Sequence, residues 1–104
     1  MAQFDVHRNP RPASREEVPY LIDLQNDLLD SLATRVVAPL VRYEHMPTPA
    51  RYLNPVFDVR GERVVLSTAE LAGVGRHELG EVVGSLADHR DEIIRAIDFL
   101  LSGI

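Results

Sequence analysis

The sequence predicts a mainly β, α+β chain, with short strands through residue 66 and one amphipathic helix at the C-terminal end. Three observations carry this. Short apolar runs recur between breaks rich in Pro, Gly and Asp. Two of them flank Arg60-Gly61 as the arms of a hairpin flank its turn. From Ser85 the apolar spacing changes to that of a helix.

Phe4 and Val6 alternate with polar neighbours, as in a half-buried strand. Residues 9–17, with Pro10, Pro12 and many charges, read as an exposed loop. A second strand is expected over residues 20–25, followed by an acidic turn at 26–31. A third begins at Arg35-Val36-Val37-Ala38, where Pro39 should confine pairing to an edge or a bulge. Residues 42–49 are loop-like. In the hairpin of residues 55–59 and 62–66, Gly61 supplies the positive φ. Ser67 and Glu70 have the spacing of a capping box for a helix of one or two turns ending near Gly73.

Leu86, Ile93, Ile94, Ile97, Leu100, Leu101 and Ile104 make one helical stripe. Ser85 is placed to cap it, Asp88, Asp91 and Glu92 suit the positive end of its dipole, and Asp91 precedes Arg95 in the favourable i,i+4 order. Gly103 is placed to end the helix in a left-handed turn. The stripe continues to the last residue given. Leu100, Leu101 and Ile104 therefore need a partner surface, either the chain's own sheet or, for the last turn, another molecule.

The chain has 104 residues, 45% of them hydrophobic and 26% charged, and a net charge of −5. At 11.7 kDa the folded surface should be about 5,900 Å², enough for one modest core, a single domain over residues 1–104 and no deep enclosed active site. The absence of cysteine removes a disulfide scaffold, a thiolate zinc site and a Cys nucleophile. No apolar run approaches the ~20 residues that cross a bilayer, and the N-terminus lacks the form of a signal peptide, so a cytoplasmic protein is expected. All eleven basic residues are Arg, scattered among sixteen acids, which argues against independent nucleic-acid binding.

Chemistry is mostly refused. Gly73-Val74-Gly75 with Gly80 and Gly84 lacks the register of a dinucleotide fingerprint and the Lys of a P-loop, so these read as structural turns. His77-Glu78 begins a zinc-protease motif, but Glu81 stands where the second His belongs. His7, His45, His77 and His89 have no ligand spacing and are expected at the surface. Asp23, Asp27 and Asp30 match a calcium loop weakly and read as a solvated acidic turn. Neither a metal nor a cofactor is expected.

The segment Leu21-Ile22-Asp23-Leu24-Gln25-Asn26-Asp27-Leu28-Leu29-Asp30 resembles the second-strand region of the CcdB family, the toxins of ccd toxin–antitoxin modules. In order and spacing there follow Arg35-Val36-Val37-Ala38-Pro39-Leu40, Leu53-Asn54-Pro55-Val56, Ser67-Thr68-Ala69-Glu70-Leu71-Ala72, Ile93-Ile94-Arg95-Ala96-Ile97-Asp98 and the terminal Gly103-Ile104. The resemblance runs from Tyr20 onward and includes Gln3-Phe4. It implies an SH3-like antiparallel barrel with a small accessory sheet and a C-terminal helix, in a homodimer whose helix ends meet near the two-fold axis.

It further implies a non-catalytic toxin that poisons DNA gyrase by binding between its A subunits and trapping the cleaved-DNA complex. The family's gyrase contacts carry over to Leu28, Leu29, Asp98, Leu101, Ser102, Gly103 and Ile104. Ser102 stands where the family has Trp, and Asp98 where it has Asn, so fold and dimer carry over better than potency. The antitoxin-facing loops correspond to residues 8–17 and 42–51. Arg8, Arg11, Arg15, Arg42, Tyr43, His45 and Arg51 there suit an acidic, extended CcdA-like antitoxin. DNA is expected as a partner only through the toxin–antitoxin complex, and no membrane is expected. The same fold serves MazF-like endoribonucleases, which need a basic groove with a general acid or base, and the net charge ranks that reading second. A non-toxic dimeric module for antitoxin binding or repression is third.

Overall fold

In the computed structural model, which describes residues 1–103, seven strands precede the helix: β1 (Asp5–Arg8), β2 (Tyr20–Asp23), β3 (Thr34–Arg42), β4 (Val56–Val59), β5 (Glu62–Leu66), β6 (Ala72–Gly75) and β7 (Val82–Ser85). All pair antiparallel in one curled sheet ordered β4-β5-β3-β2-β1-β7, with β6 also joined to β3. Helix α1 (Arg90–Ser102) follows. This is the expected mainly β architecture, consistent with an SH3-like barrel plus helix. The small β6 flank is continuous with the main sheet because the long β3 serves both. The surface of 6075 Å² lies near the value expected for the chain's mass.

The core forms where alternate strand positions converge. Val6, Ile22, Leu40, Val64 and Leu66 are fully buried on one face of the sheet, and Ile93 of α1 joins them. Each such side chain stabilises the fold by about 1.5–3 kcal/mol of apolar burial. The β4–β5 hairpin has the predicted register, Val59 opposite Glu62. Both turn residues, Arg60 (φ 52°) and Gly61 (φ 79°), are left-handed, as a two-residue turn between twisted strands requires.

Pro39 departs from expectation. It lies inside β3, opposite Leu21 of β2, and not at an edge. Leu24 N–H donates to Val36 O and Ser67 N–H to Pro39 O, so odd and even residues of β3 bond to opposite flanks. The Pro39 nitrogen thus faces the gap between β6, which covers residues 34–37, and β5, which covers 40–42. No ladder bond is lost there.

The Ser67–Glu70 segment makes a single 3-10 turn (Thr68–Glu70), and Ser67 Oγ bonds the Glu70 carboxylate instead of a backbone N–H. Gly73 and Gly75 belong to strand β6, not to turns, because β3 extends far enough to pair with them. The helix proper starts later than Ser85. Leu86 is drawn into the core with its N–H bonded to Phe4 O at 2.9 Å, and a 3-10 turn (Ala87–His89) intervenes. Ser85 Oγ still accepts the Ala87 N–H, at 3.1 Å. Gly103 (φ 72°) caps the C-terminus as predicted, its N–H donating to Phe99 O at 2.9 Å.

His7 is buried, not exposed. A bulge between Val6 and His7 in the β1–β7 ladder breaks the alternation, and His7 Nδ1 donates to Gly80 O at 2.9 Å. No helix among the described residues is long and apolar enough to cross a membrane.

Candidate functional site

Three surfaces hold the residues singled out from the sequence. At the helix end, Ile93 and Ala96 face the core, Leu100 is half-buried, and Leu101 is 77% exposed. Asp98, Ser102 and Gly103 are exposed beside it. Ser102 Oγ donates back to Asp98 O at 2.7 Å, so this short side chain folds onto its own helix and does not reach outward. Ile104 lies outside the described residues.

Leu28 and Leu29 sit on a separate 3-10 turn (Asp27–Leu29), where Leu28 is 89% exposed. The principal contacts of α1 are with the Thr68–Glu70 and Ala87–His89 turns, and the leucine turn is held elsewhere. Its fastening is unusually complete. Arg35, buried in β3, donates through Nε (2.9 Å) to Asp23 Oδ2 and through Nη1 (2.9 Å) to Asp30 Oδ1. Asp23 Oδ1 accepts the Gln25 N–H, while Gln25 Nε2 donates to Leu29 O at 3.0 Å. From the far side, Arg76 Nη1 donates to the carbonyls of Asp30 and Leu32, and its Nη2 lies 3.5 Å from the Asp30 carboxylate. Asp23 is therefore not part of a solvated acidic turn. Its strand position puts it under the turn, where Arg35 compensates its charge. Leu32, also exposed, adds a third leucine that the sequence did not single out.

The third surface combines the residue 9–17 loop with the segment after β3. Arg42 joins the two: its N–H donates to Glu17 O at 2.9 Å, Nε to Glu16 O, and Nη1 pairs with Glu62 at 3.1 Å. Arg15 folds over its own loop onto Asn9 O and Pro10 O, and Arg8 pairs with Glu81 at 3.0 Å. Tyr43 stacks under Arg63, and His45 is exposed at the end of a 3-10 turn (Tyr43–His45). Arg11 lines a groove of about 220 Å³ floored by Leu21, Val37, Pro39 and Val74. Arg51 stacks on Tyr52, which also meets Arg95 of α1.

Burial pushes the Tyr20 hydroxyl above its ordinary value of 10.0, and the nearby Glu62 carboxylate pushes it further. Among the described residues, no three His, Asp or Glu side chains gather to hold a metal. The surfaces offer apolar contact and charge pairing.

A family profile described as CcdB protein matches residues 3–103. Among solved structures, the chain is similar to an endoribonuclease in complex with its cognate antitoxin from a mycobacterial species. The match has a TM-score of 0.76 and 13% identity, and covers 97% of this chain and 94% of that one.

Proposed function

The chain belongs to the CcdB family, toxins of toxin–antitoxin modules, and from that premise we propose that it is a non-catalytic binder that poisons DNA gyrase. It acts in the cytoplasm as a homodimer, inserts between the gyrase A subunits and stabilises the cleaved-DNA state by binding it better than the intact one. The observation that carries this reading is the exposed apolar end of α1: Leu101 is uncovered at the position the family uses for its target. Leu28 and Leu29, on their braced turn, supply a second, separate contact. Arg8, Arg11, Arg15, Arg42, Tyr43 and His45 form the antitoxin-facing surface, with the Arg11 groove taking apolar side chains.

Ser102 weakens the contact. A central Trp is the commonest hot-spot residue, worth about 2–4 kcal/mol, or roughly 30- to 1,000-fold in affinity. The decisive assay is gyrase-mediated cleavage of supercoiled DNA. Ser102→Trp should trap more cleaved DNA than the natural chain, by at least about tenfold in effective concentration. If neither protein traps any, the inherited target is wrong.

The endoribonuclease reading is favoured by one observation, the similarity in fold to an endoribonuclease held by its antitoxin. Defined cut sites in RNA incubated with the purified protein would establish it over gyrase poisoning.

A further inference from the structure

Tyr52 is an exposed aromatic residue held at φ 66°, a left-handed conformation that bulky side chains rarely adopt. The Arg51 guanidinium lies 4.8 Å from its ring centroid and that of Arg95 4.4 Å, while Phe99 meets it edge-on at 6.2 Å. Arg95 thus turns to Tyr52 and not to the Asp91 that its spacing suggested. The arginines of the site already described mostly meet carboxylates: Arg8, Arg35, Arg42 and Arg76 each do. Arg51 and Arg95 form no ion pair and no side-chain hydrogen bond among the described residues. Glu92 lines a cavity of about 160 Å³ with Tyr52, Pro55 and Arg95, but its Oε1 lies 3.2 Å from His89 Nδ1, and Arg95 has no carboxylate partner among the described residues.

We propose that Arg51, Tyr52 and Arg95 form a carboxylate receptor on the flank of α1, which takes an acidic side chain of an extended protein segment. Stacked on the Tyr52 ring, both guanidinium groups keep their N–H donors out of ion pairs among the described residues, and each planar fork matches a carboxylate. The half-buried Phe99 ring beside them accepts the apolar part of the same or the next side chain. A nucleic-acid backbone fits less well. The chain carries −5, and Asp91, Glu92 and Asp98 stand on the same helix, repelling a polyphosphate while a single carboxylate makes only the local contact. Identifying the segment as part of the antitoxin rests on the toxin–antitoxin reading. The receptor itself does not, and it adds Tyr52 and Arg95 to the binding residues.

The test is calorimetric titration of the full chain at low salt with a short peptide alternating Glu and Leu, with the same peptide carrying Gln for Glu, and with oligothymidylate. The Glu peptide should bind about tenfold tighter than the Gln peptide, and Arg51→Gln with Arg95→Gln should remove most of that difference. Tyr52→Gly, which removes the ring at a φ that glycine adopts freely, should also weaken Glu-peptide binding by severalfold, with an unchanged far-UV circular dichroism spectrum as the check that the fold is kept. Equal binding of both peptides, an unaffected double variant, or preference for the oligonucleotide would overturn the receptor. The probes involve neither gyrase nor antitoxin. A failed DNA-cleavage assay beside a Glu-selective titration rejects gyrase poisoning alone, and the reverse result rejects the receptor alone.

Discussion

Arg35 shows how one residue can tie a core to a surface. Its side chain is wholly buried, yet it reaches Asp23 inside the sheet and Asp30 at the rim. A buried ion pair adds little net stability, because desolvation offsets its attraction, but breaking it leaves one charge stranded. Arg35→Ala should therefore cost about 3–5 kcal/mol, read as a lowered urea midpoint. Replacing the pair together, Arg35→Met with Asp23→Leu, should recover much of that loss. A single-variant cost below about 1 kcal/mol would mean that water solvates Asp23 and the pair is not buried in solution.

At the scale of elements, the leucine turn is shaped by its neighbours more than by its own propensity. Arg76, just beyond β6, bonds the Asp30 and Leu32 carbonyls that follow the turn and meets the Asp30 carboxylate from a partly exposed position. Arg76→Ala should speed amide exchange of Leu29 and Leu32 severalfold, while global stability falls by no more than about 1 kcal/mol. Unchanged exchange there would show that Arg35 holds the turn unaided. Local patterns made some elements legible in the sequence. The Arg60-Gly61 hairpin and the helix capped by Gly103 announce themselves through turn chemistry and period. Strands β6 and β7 do not, since Gly73, Gly75 and Gly84 dilute any alternation and only pairing with β3 and β1 makes these segments strands. Burial of His7, Asp23 and Arg35 was hidden for the same reason: a bulge and two partners distant in sequence decide it. Resemblance directed attention to Leu28, Leu29 and the helix end, and Leu28, Leu29 and Leu101 are exposed in the structure. The Tyr52 stack was not, because nothing in one dimension brings Arg95 to Arg51.

For the whole molecule, the proposed gyrase poisoning rests on what an acidic member of a toxin family can cover. Arg42 fastens the residue 9–17 loop to the end of β3, and Leu101 stands uncovered at the end of α1. The uncovered Leu101 suits the proposed isologous dimer, which would show the same helix end twice to a two-fold-symmetric target. Sedimentation of the purified chain, alone and mixed with the gyrase A dimer, tests this most directly. The account predicts a particle of twice 11.7 kDa that joins gyrase A in one complex, more tightly with Ser102→Trp and not at all with Leu101→Asp. A single-chain particle that leaves gyrase A unaltered, with Ser102→Trp behaving identically, would contradict it.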